Sequence, residues 1–232
     1  VRRRKNRRDK MKKTRQRKRN RKRSLLKPGM ILLVGIAILL LVMKVFQIGL
    51  FSNRYQEIEG EKVDAYRPDI QVELLTPNKY SRPQTKTERI NNIVIHYTAN
   101  PGATAQQNRD YFDGLKDTHL TQASSHFIVG LNGEIIQCIP TWEMAYASNN
   151  RNQDTVSIEC CHPNESGRFN WKTYRSMVEL SAWLCLKFGL TEENLIRHYD
   201  VTGKNCPKYF VEHPEKWNEF RSDVGKSLEK MK

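Results

Sequence analysis

Residues Met30–Phe51, MILLVGIAILLLVMKVFQIGLF, form a 22-residue apolar run broken only by Lys44 and Gln47. At about 1.5 Å of rise per residue, a helix of this length reaches about 33 Å, enough to cross a hydrocarbon core of about 30 Å. The run therefore reads as a transmembrane helix, and the rest of the chain is organised around it. A cleaved signal peptide would have a shorter apolar core and a small-residue cleavage site. Gly49-Leu50-Phe51-Ser52 offers no such site, so the span is expected to stay as an anchor. Lys44 lies toward the outer end, where its stem lets the ammonium reach the interface.

Charge sets the orientation. The formal charge is +15, which by itself suggests a nucleic-acid partner. Its distribution argues otherwise: residues 1–29 hold 17 Lys or Arg against one Asp, whereas from Ser52 onward 22 basic residues face 24 acidic ones. A domain that docks on phosphates needs cations on its docking face. No nucleic-acid partner is expected for this nearly neutral part. The cluster Lys12–Arg23 lies next to an apolar span, where its role is topology and adhesion to anionic lipid. The positive-inside rule then puts the N-terminus in the cytoplasm and everything after Ser52 outside it, in a single-pass cell-membrane protein. The expected organisation is a basic cytoplasmic tail (1–29), a transmembrane signal anchor (30–51), an extracytoplasmic linker (52–74) and one folded domain (75–232). The 181 residues after Phe51 suffice for a single domain with a proper core.

Within that outer part, Ser52–Asn92 is polar, carries Pro68, Pro77 and Pro83, and contains one short strand candidate at Val72–Leu75. Ile93-Val94-Ile95-His96-Tyr97 is a β-branched run of the buried-strand type. Ala103–Asp117 has the spacing of an amphipathic helix with Phe112 and Leu115 inward. His126–Gly130 and Glu134–Ile139 flank Leu131-Asn132-Gly133, and Asn-Gly between two apolar runs signals a hairpin. Thr155–Cys161 is a further strand. From Trp171 to Phe188, Tyr174, Met177, Val178, Ser181, Leu184, Cys185 and Phe188 recur at three and four, tracing one helix face, and Gly189 ends it. Thr191 caps a short turn into Leu195–His198. Pro214 suits the first position of a last helix that uses Trp217, Phe220, Val224 and Leu228. Interleaved strands and helices with a hairpin predict an α/β domain with a mixed sheet.

The five cysteines, at 138, 160, 161, 185 and 206, are odd in number in a segment too long for a disulfide-stapled mini-domain. Cys138, Cys160 and Cys185 fall within apolar patterns and are expected to pack as small hydrophobes. Cys206 instead lies in the polar loop Thr202–Pro207. A histidine taken singly is most often a structural residue, but a catalytic zinc site needs three nitrogen or sulfur ligands and an open position. His96 at a strand end can supply these together with His198 and Cys206, which lie eight residues apart across a glycine-containing loop. Zinc-finger spacing is absent.

Four stretches then carry a resemblance. They are Ile93–Thr98, Ser125–Val129 followed by Asn132-Gly133, Val156-Ser157-Ile158-Glu159, and His198-Tyr199-Asp200 with Lys204, Cys206 and Pro207. Together, and in this order, they resemble the zinc-dependent N-acetylmuramoyl-L-alanine amidases. This is the type 2 amidase domain family, which includes phage lysozyme-type amidases and the peptidoglycan recognition proteins. The similarity covers roughly Leu75 to Val224. It implies a mixed, mostly parallel sheet flanked by helices, with a groove for peptidoglycan above one zinc ion. It makes His96, His198 and Cys206 the zinc ligands and places Glu159 and Lys204 beside the metal. A carboxylate there is suited to take a proton from water and pass it to the leaving nitrogen, and a lysine to stabilise the oxyanion. On a strand, Glu159 shares its face with Ser157 and Cys161, opposite Val156, Ile158 and Cys160.

Two departures from the family stand out. Some relatives have a catalytic tyrosine where this chain has Ser125. Others have Trp-His-Ala-Gly where it has Ala145-Tyr146-Ala147-Ser148. Proton transfer is accordingly expected of Glu159, with Ser125, His126 and Tyr146 as substrate-groove candidates. The resemblance implies cleavage of the amide between N-acetylmuramic acid and L-alanine of the stem peptide. The alternative is a membrane-anchored module that binds or senses peptidoglycan without turnover, and the presence of Cys206 favours the enzyme.

Overall fold

The computed structural model describes residues 60–87 and 89–232. The basic tail, the apolar span with Lys44 and the linker up to residue 59 lie outside the described residues. Among the described residues, no helix is long and apolar enough to cross a membrane. In chain order the elements are α1 (Gly60–Ala65), β1 (Gln71–Val72), β2 (Asn92–Tyr97), α2 (Ala105–Thr118), β3 (Phe127–Val129), β4 (Ile135–Gln137), β5 (Thr155–Cys160), α3 (Trp171–Phe188), β6 (Leu195–Arg197), α4 (His198–Thr202), α5 (Lys208–Glu212) and α6 (Pro214–Glu229). Short 3-10 turns lie at Asn149–Arg151 and Glu192–Asn194.

The strands form one sheet in the order β1-β4-β3-β5-β2-β6. Every neighbouring pair is parallel except the β3–β4 hairpin. The sequence pattern predicts a mixed sheet, and the family resemblance implies one that is mostly parallel and flanked by helices; both expectations hold. Alternation along the strands divides the interior into two layers. Ile93, Ile95, Phe127, Val129, Val156 and Ile158 pack with α3 and α6. Ile128 and Ile136 pack with Ala105, Phe112 and Leu115 of α2 and with Leu75. His96 and Glu159 belong to the second face and are direct partners in the β2–β5 register. Ile95 pairs with Arg197 on β6, so His198 follows at the level of His96. The carboxyl ends of three adjacent parallel strands thus deliver His198, His96 and Glu159 side by side. Ligand sites in open α/β sheets lie at such an edge.

Local signals account for the element boundaries. Thr104 and Gln107 close a reciprocal capping box at the start of α2, with Gln107 N donating to Thr104 Oγ1 at 3.1 Å and Thr104 N to Gln107 Oε1 at 2.9 Å. Asn170 Oδ1 accepts from Lys172 N and Thr173 N at the start of α3. Gly189 ends that helix at φ +63°, a conformation that costs glycine little. In the hairpin, Gly133 takes φ +86°, and Gly130 N donates to Glu134 O at 2.8 Å.

The edge next to the linker differs from the expectation. The ladder strand is Gln71–Val72, with Val72 56 % exposed. Backbone bonds from Glu73 N to Gln137 O and Leu75 N to Cys138 O then carry the chain on along β4. Residues expected to be linker also join the core: Val63 of α1 and Ile70 are buried, and Trp183 Nε1 donates to Val63 O at 2.9 Å. The physical reason lies in α3. Besides the predicted Met177, Ser181, Leu184 and Cys185, it buries Leu180, Ala182, Trp183 and Leu186. A helix end that is apolar all round needs cover beyond the sheet and α6, and α1 supplies part of it. Cys138, Cys160, Cys161 and Cys185 are buried free thiols, as small core residues.

A buried ion pair ties two loops together beside Leu75 of the second layer. Arg82 meets Glu143 through Nε–Oε2 and Nη2–Oε1, both at 2.8 Å, and Arg82 Nη1 donates to Leu75 O at 2.9 Å. Bidentate pairing of this kind supplies directional bonds as well as charge. It anchors the segment that runs on from Glu143 to Ser148.

Candidate metal centre

His96, His198 and Cys206 converge. Their donor atoms all lie within 4.8 Å of one another, and all three residues are buried, at 2 %, 7 % and 2 % exposure. Cys206 Sγ is 3.9 Å from His96 Nδ1, and the two imidazoles meet edge to face with centroids 4.7 Å apart. His96 is placed by the β2 ladder. His198 opens α4, whose start is braced by Arg197: its N–H and guanidinium both bond Asp200, and Nη1 donates to Phe210 O. Cys206 is returned to this point by the turn after α4, where Tyr199 N donates to Cys206 O at 2.8 Å.

Glu159 lies beside the trio on β5. Its Oε2 is buried and has no hydrogen-bond partner. Burial pushes its carboxyl up to about 8, and the charge of exposed Lys204 partly opposes this. Burial, and then the Glu159 charge, push the Cys206 thiol up to about 12. Burial and the neighbouring His198 and Lys204 hold His96 well below the usual histidine value, and burial with Lys204 lowers His198. Both imidazoles are therefore neutral, the form that binds a metal.

The donor set fits zinc: two imidazoles and one thiol, of the softness zinc prefers, converging beside a carboxylate with an unpaired oxygen. With no cation the pocket is an unfavourable place for charge, and a divalent ion there would lower both the thiol and the carboxyl.

The three groove candidates separate. Ser125 and His126 do not line an open groove, because they are 0 % and 1 % exposed and their polar atoms are taken up internally. Ser125 Oγ lies 3.0 Å from both Phe127 O and Ser157 O. His126 Nδ1 accepts from Ser157 N at 3.0 Å, so its Nε2–H donates to Glu143 O at 2.9 Å. Burial lowers this histidine to about 4. It is a structural residue that joins β5 to the Glu143 loop. Tyr146 is half-buried and two residues from Ser148.

Two residues at the site escape sequence reasoning. Asn149 Oδ1 lies 3.0 Å from His198 Nε2, and Ser148 Oγ 3.5 Å from His96 Nε2. In the sequence, Ser148-Asn149-Asn150-Arg151-Asn152 is an ordinary polar loop, and no residue type in it signals a metal.

Known proteins resemble this chain in sequence and in fold. The family profile described as N-acetylmuramoyl-L-alanine amidase, Amidase_2, matches residues 86–209, a range that contains His96, Glu159, His198, Lys204 and Cys206. A probable N-acetylmuramoyl-L-alanine amidase of Bacillus licheniformis is 35 % identical over 163 residues, 65 % of this chain and 46 % of its own length. The N-acetylmuramoyl-L-alanine amidase CwlL of the same species is 35 % identical over 164 residues, covering 65 % and 45 %. The chain spans about half the length of these relatives. The structure of the catalytic domain of XlyA superposes with a TM-score of 0.58 at 26 % identity, covering 68 % of this chain and 100 % of that one.

Proposed function

Since the chain belongs to the Amidase_2 family of N-acetylmuramoyl-L-alanine amidases, we propose that it is a zinc-dependent peptidoglycan hydrolase. Its substrate is the amide between the lactyl group of N-acetylmuramic acid and L-alanine of the stem peptide. The observation that carries this reading is the buried, unpaired Glu159 Oε2 one strand from the convergent His96, His198 and Cys206. These three residues would hold the ion. When bound, zinc supplies a Lewis acid that polarises a carbonyl and acidifies water.

The chain's own residues supply the rest. Glu159, once its carboxyl is lowered by the ion, takes a proton from water as the water oxygen bonds to the lactyl carbonyl carbon. It then delivers that proton to the alanine nitrogen as the C–N bond breaks, leaving a carboxylic acid and an amine, between which the remaining water proton passes to give carboxylate and ammonium. Lys204 lends positive charge to the oxyanion formed between these steps. The expected result with purified sacculi is release of stem peptides bearing a new L-alanine amino terminus, abolished by a strong chelator and restored by zinc. Full hydrolysis by metal-free protein would rule out the zinc role, and sacculus binding without any release would favour the non-catalytic module.

The same proposal includes the setting: a single-pass anchor at residues 30–51, the N-terminus in the cytoplasm and the amidase domain outside, where peptidoglycan lies. It is supported by the 17 basic residues that precede the apolar run. A reporter enzyme active only outside the cytoplasm, fused after Lys232, should be active. Exchanging the basic residues of 2–23 for glutamine should give mixed orientation. Cytoplasmic exposure of the domain in the unaltered chain would overturn the localisation.

A further inference from the structure

We propose that Asn149, assisted by Ser148, is a positioning residue that holds the two histidines with Nε2 protonated and Nδ1 turned to the metal. The inference rests on the zinc reading of this site and adds what orients its ligands.

An amide oxygen only accepts, so at 3.0 Å from Asn149 Oδ1 the His198 Nε2 carries the proton and Nδ1 keeps its lone pair. At His96, Nδ1 faces Cys206 Sγ, and Nε2 faces the Ser148 hydroxyl, which is able to accept its proton, across a longer 3.5 Å contact. One dipeptide thus meets the outer nitrogen of both imidazoles. Outer hydrogen bonds of this kind select the tautomer and fix ring orientation, and losing one commonly costs about 10–100-fold in metal affinity.

The dipeptide is itself held. Asn152 Oδ1 accepts from Ala147 N and Ser148 N at 3.1 and 2.6 Å. Arg151 forks onto Asp154, and its Nη2 also donates to Asn92 Oδ1 at 2.6 Å at the start of β2. The turn is therefore tied to β2, which presents His96. Asn149 takes φ +52°, the left-handed region where asparagine is enriched among non-glycine residues. It is exposed, so its side chain adds little to the core.

That backbone conformation suggests a clean variant. Asn149→Gly keeps a residue at ease with positive φ and deletes only the acceptor, so the thermal midpoint of the metal-free chain should change little. In the 232-residue chain labelled with 15N-histidine and free of metal, two-bond proton–nitrogen spectra should show His198 as the Nε2–H tautomer with a protected proton. In Asn149→Gly that protection should be lost, and the Kd for zinc, read by competition with a chromophoric chelator, should rise about 10–100-fold. Asn149→Asp, which restores an acceptor, should recover both. Ser148→Ala should have a smaller effect, since its contact is longer.

A His198 protonated at Nδ1 in the unaltered chain would overturn the proposal. So would an unchanged zinc Kd and unchanged proton protection in Asn149→Gly. A chain that shows the expected tautomers and affinities but releases no stem peptide would leave this inference standing and count against the amidase activity instead.

Discussion

Replacing Cys206 by alanine is expected to abolish tight zinc binding and to lower peptide release from sacculi by roughly 10³-fold or more, the scale of a Lewis-acid contribution worth several kcal/mol. Two imidazoles alone make a poor zinc site. The thiol is 2 % exposed and buried beside His96, and the substitution removes a single heavy atom. Cys206→Ser keeps the volume, substitutes a harder donor, and should bind zinc far more weakly than the parent. His198→Ala should match Cys206→Ala in both readouts.

The pH dependence of binding offers a separate check. A thiol pushed up to about 12 must surrender its proton to become a ligand, while the two lowered histidines are already neutral near pH 7. Zinc affinity should therefore rise about tenfold for each pH unit from the thiol alone. Below pH 8 the rise should be steeper, because Glu159, raised to about 8 without the ion, is also protonated there and is lowered on binding. Calorimetry in buffers of different ionisation enthalpy counts these protons. A zinc Kd that is flat between pH 6 and pH 8 would contradict the thiolate ligand.

The second large effect separates the base from the ligands. Glu159→Gln preserves shape and removes the basic oxygen, so zinc should still bind at one ion per chain while turnover falls by about 10² or more. The substitution also removes a charge from beside Cys206 and should flatten the extra pH dependence below pH 8. Lys204→Met should lower turnover through the oxyanion, commonly by about 10²–10³, with zinc retained. Both variants should still bind sacculi. Near-parental hydrolysis by zinc-loaded Glu159→Gln would move the role of base to another residue, with half-buried Tyr146 the next to substitute; buried His126 is already committed to Ser157 and Glu143.

Much of the fold was legible because its signals are local. The β-branched run at 93–97, Asn-Gly at the hairpin, the three-and-four spacing of 171–188 with Gly189 behind it, and Pro214 at the head of the last helix each act within one segment. The boundary at residue 74 was not legible. Nothing in the polar stretch around Val63 shows that Trp183, 120 residues away, donates a hydrogen bond to its carbonyl. The groove assignment of Ser125 and His126 missed for a similar reason. Burial and internal pairing are properties of the neighbours that close over a side chain, and those neighbours come from β5 and the Glu143 loop.

By itself, the sequence determined the apolar span with its basic flank, the element types along the folded domain, and the residue types that make zinc chemistry available. These depend on composition and short-range periodicity, which a chain carries whether or not it is folded. Only the tertiary structure decided that His96 meets Cys206 across 110 residues, that Glu159 lies in register with His96 with an oxygen left unpaired, and that Ser148 and Asn149 back the two imidazoles. The physical reason is that strand register and loop return set distances to within a hydrogen bond. Both are fixed by the packing of the whole sheet and by pairs such as Arg82–Glu143, and no spacing within one segment encodes them.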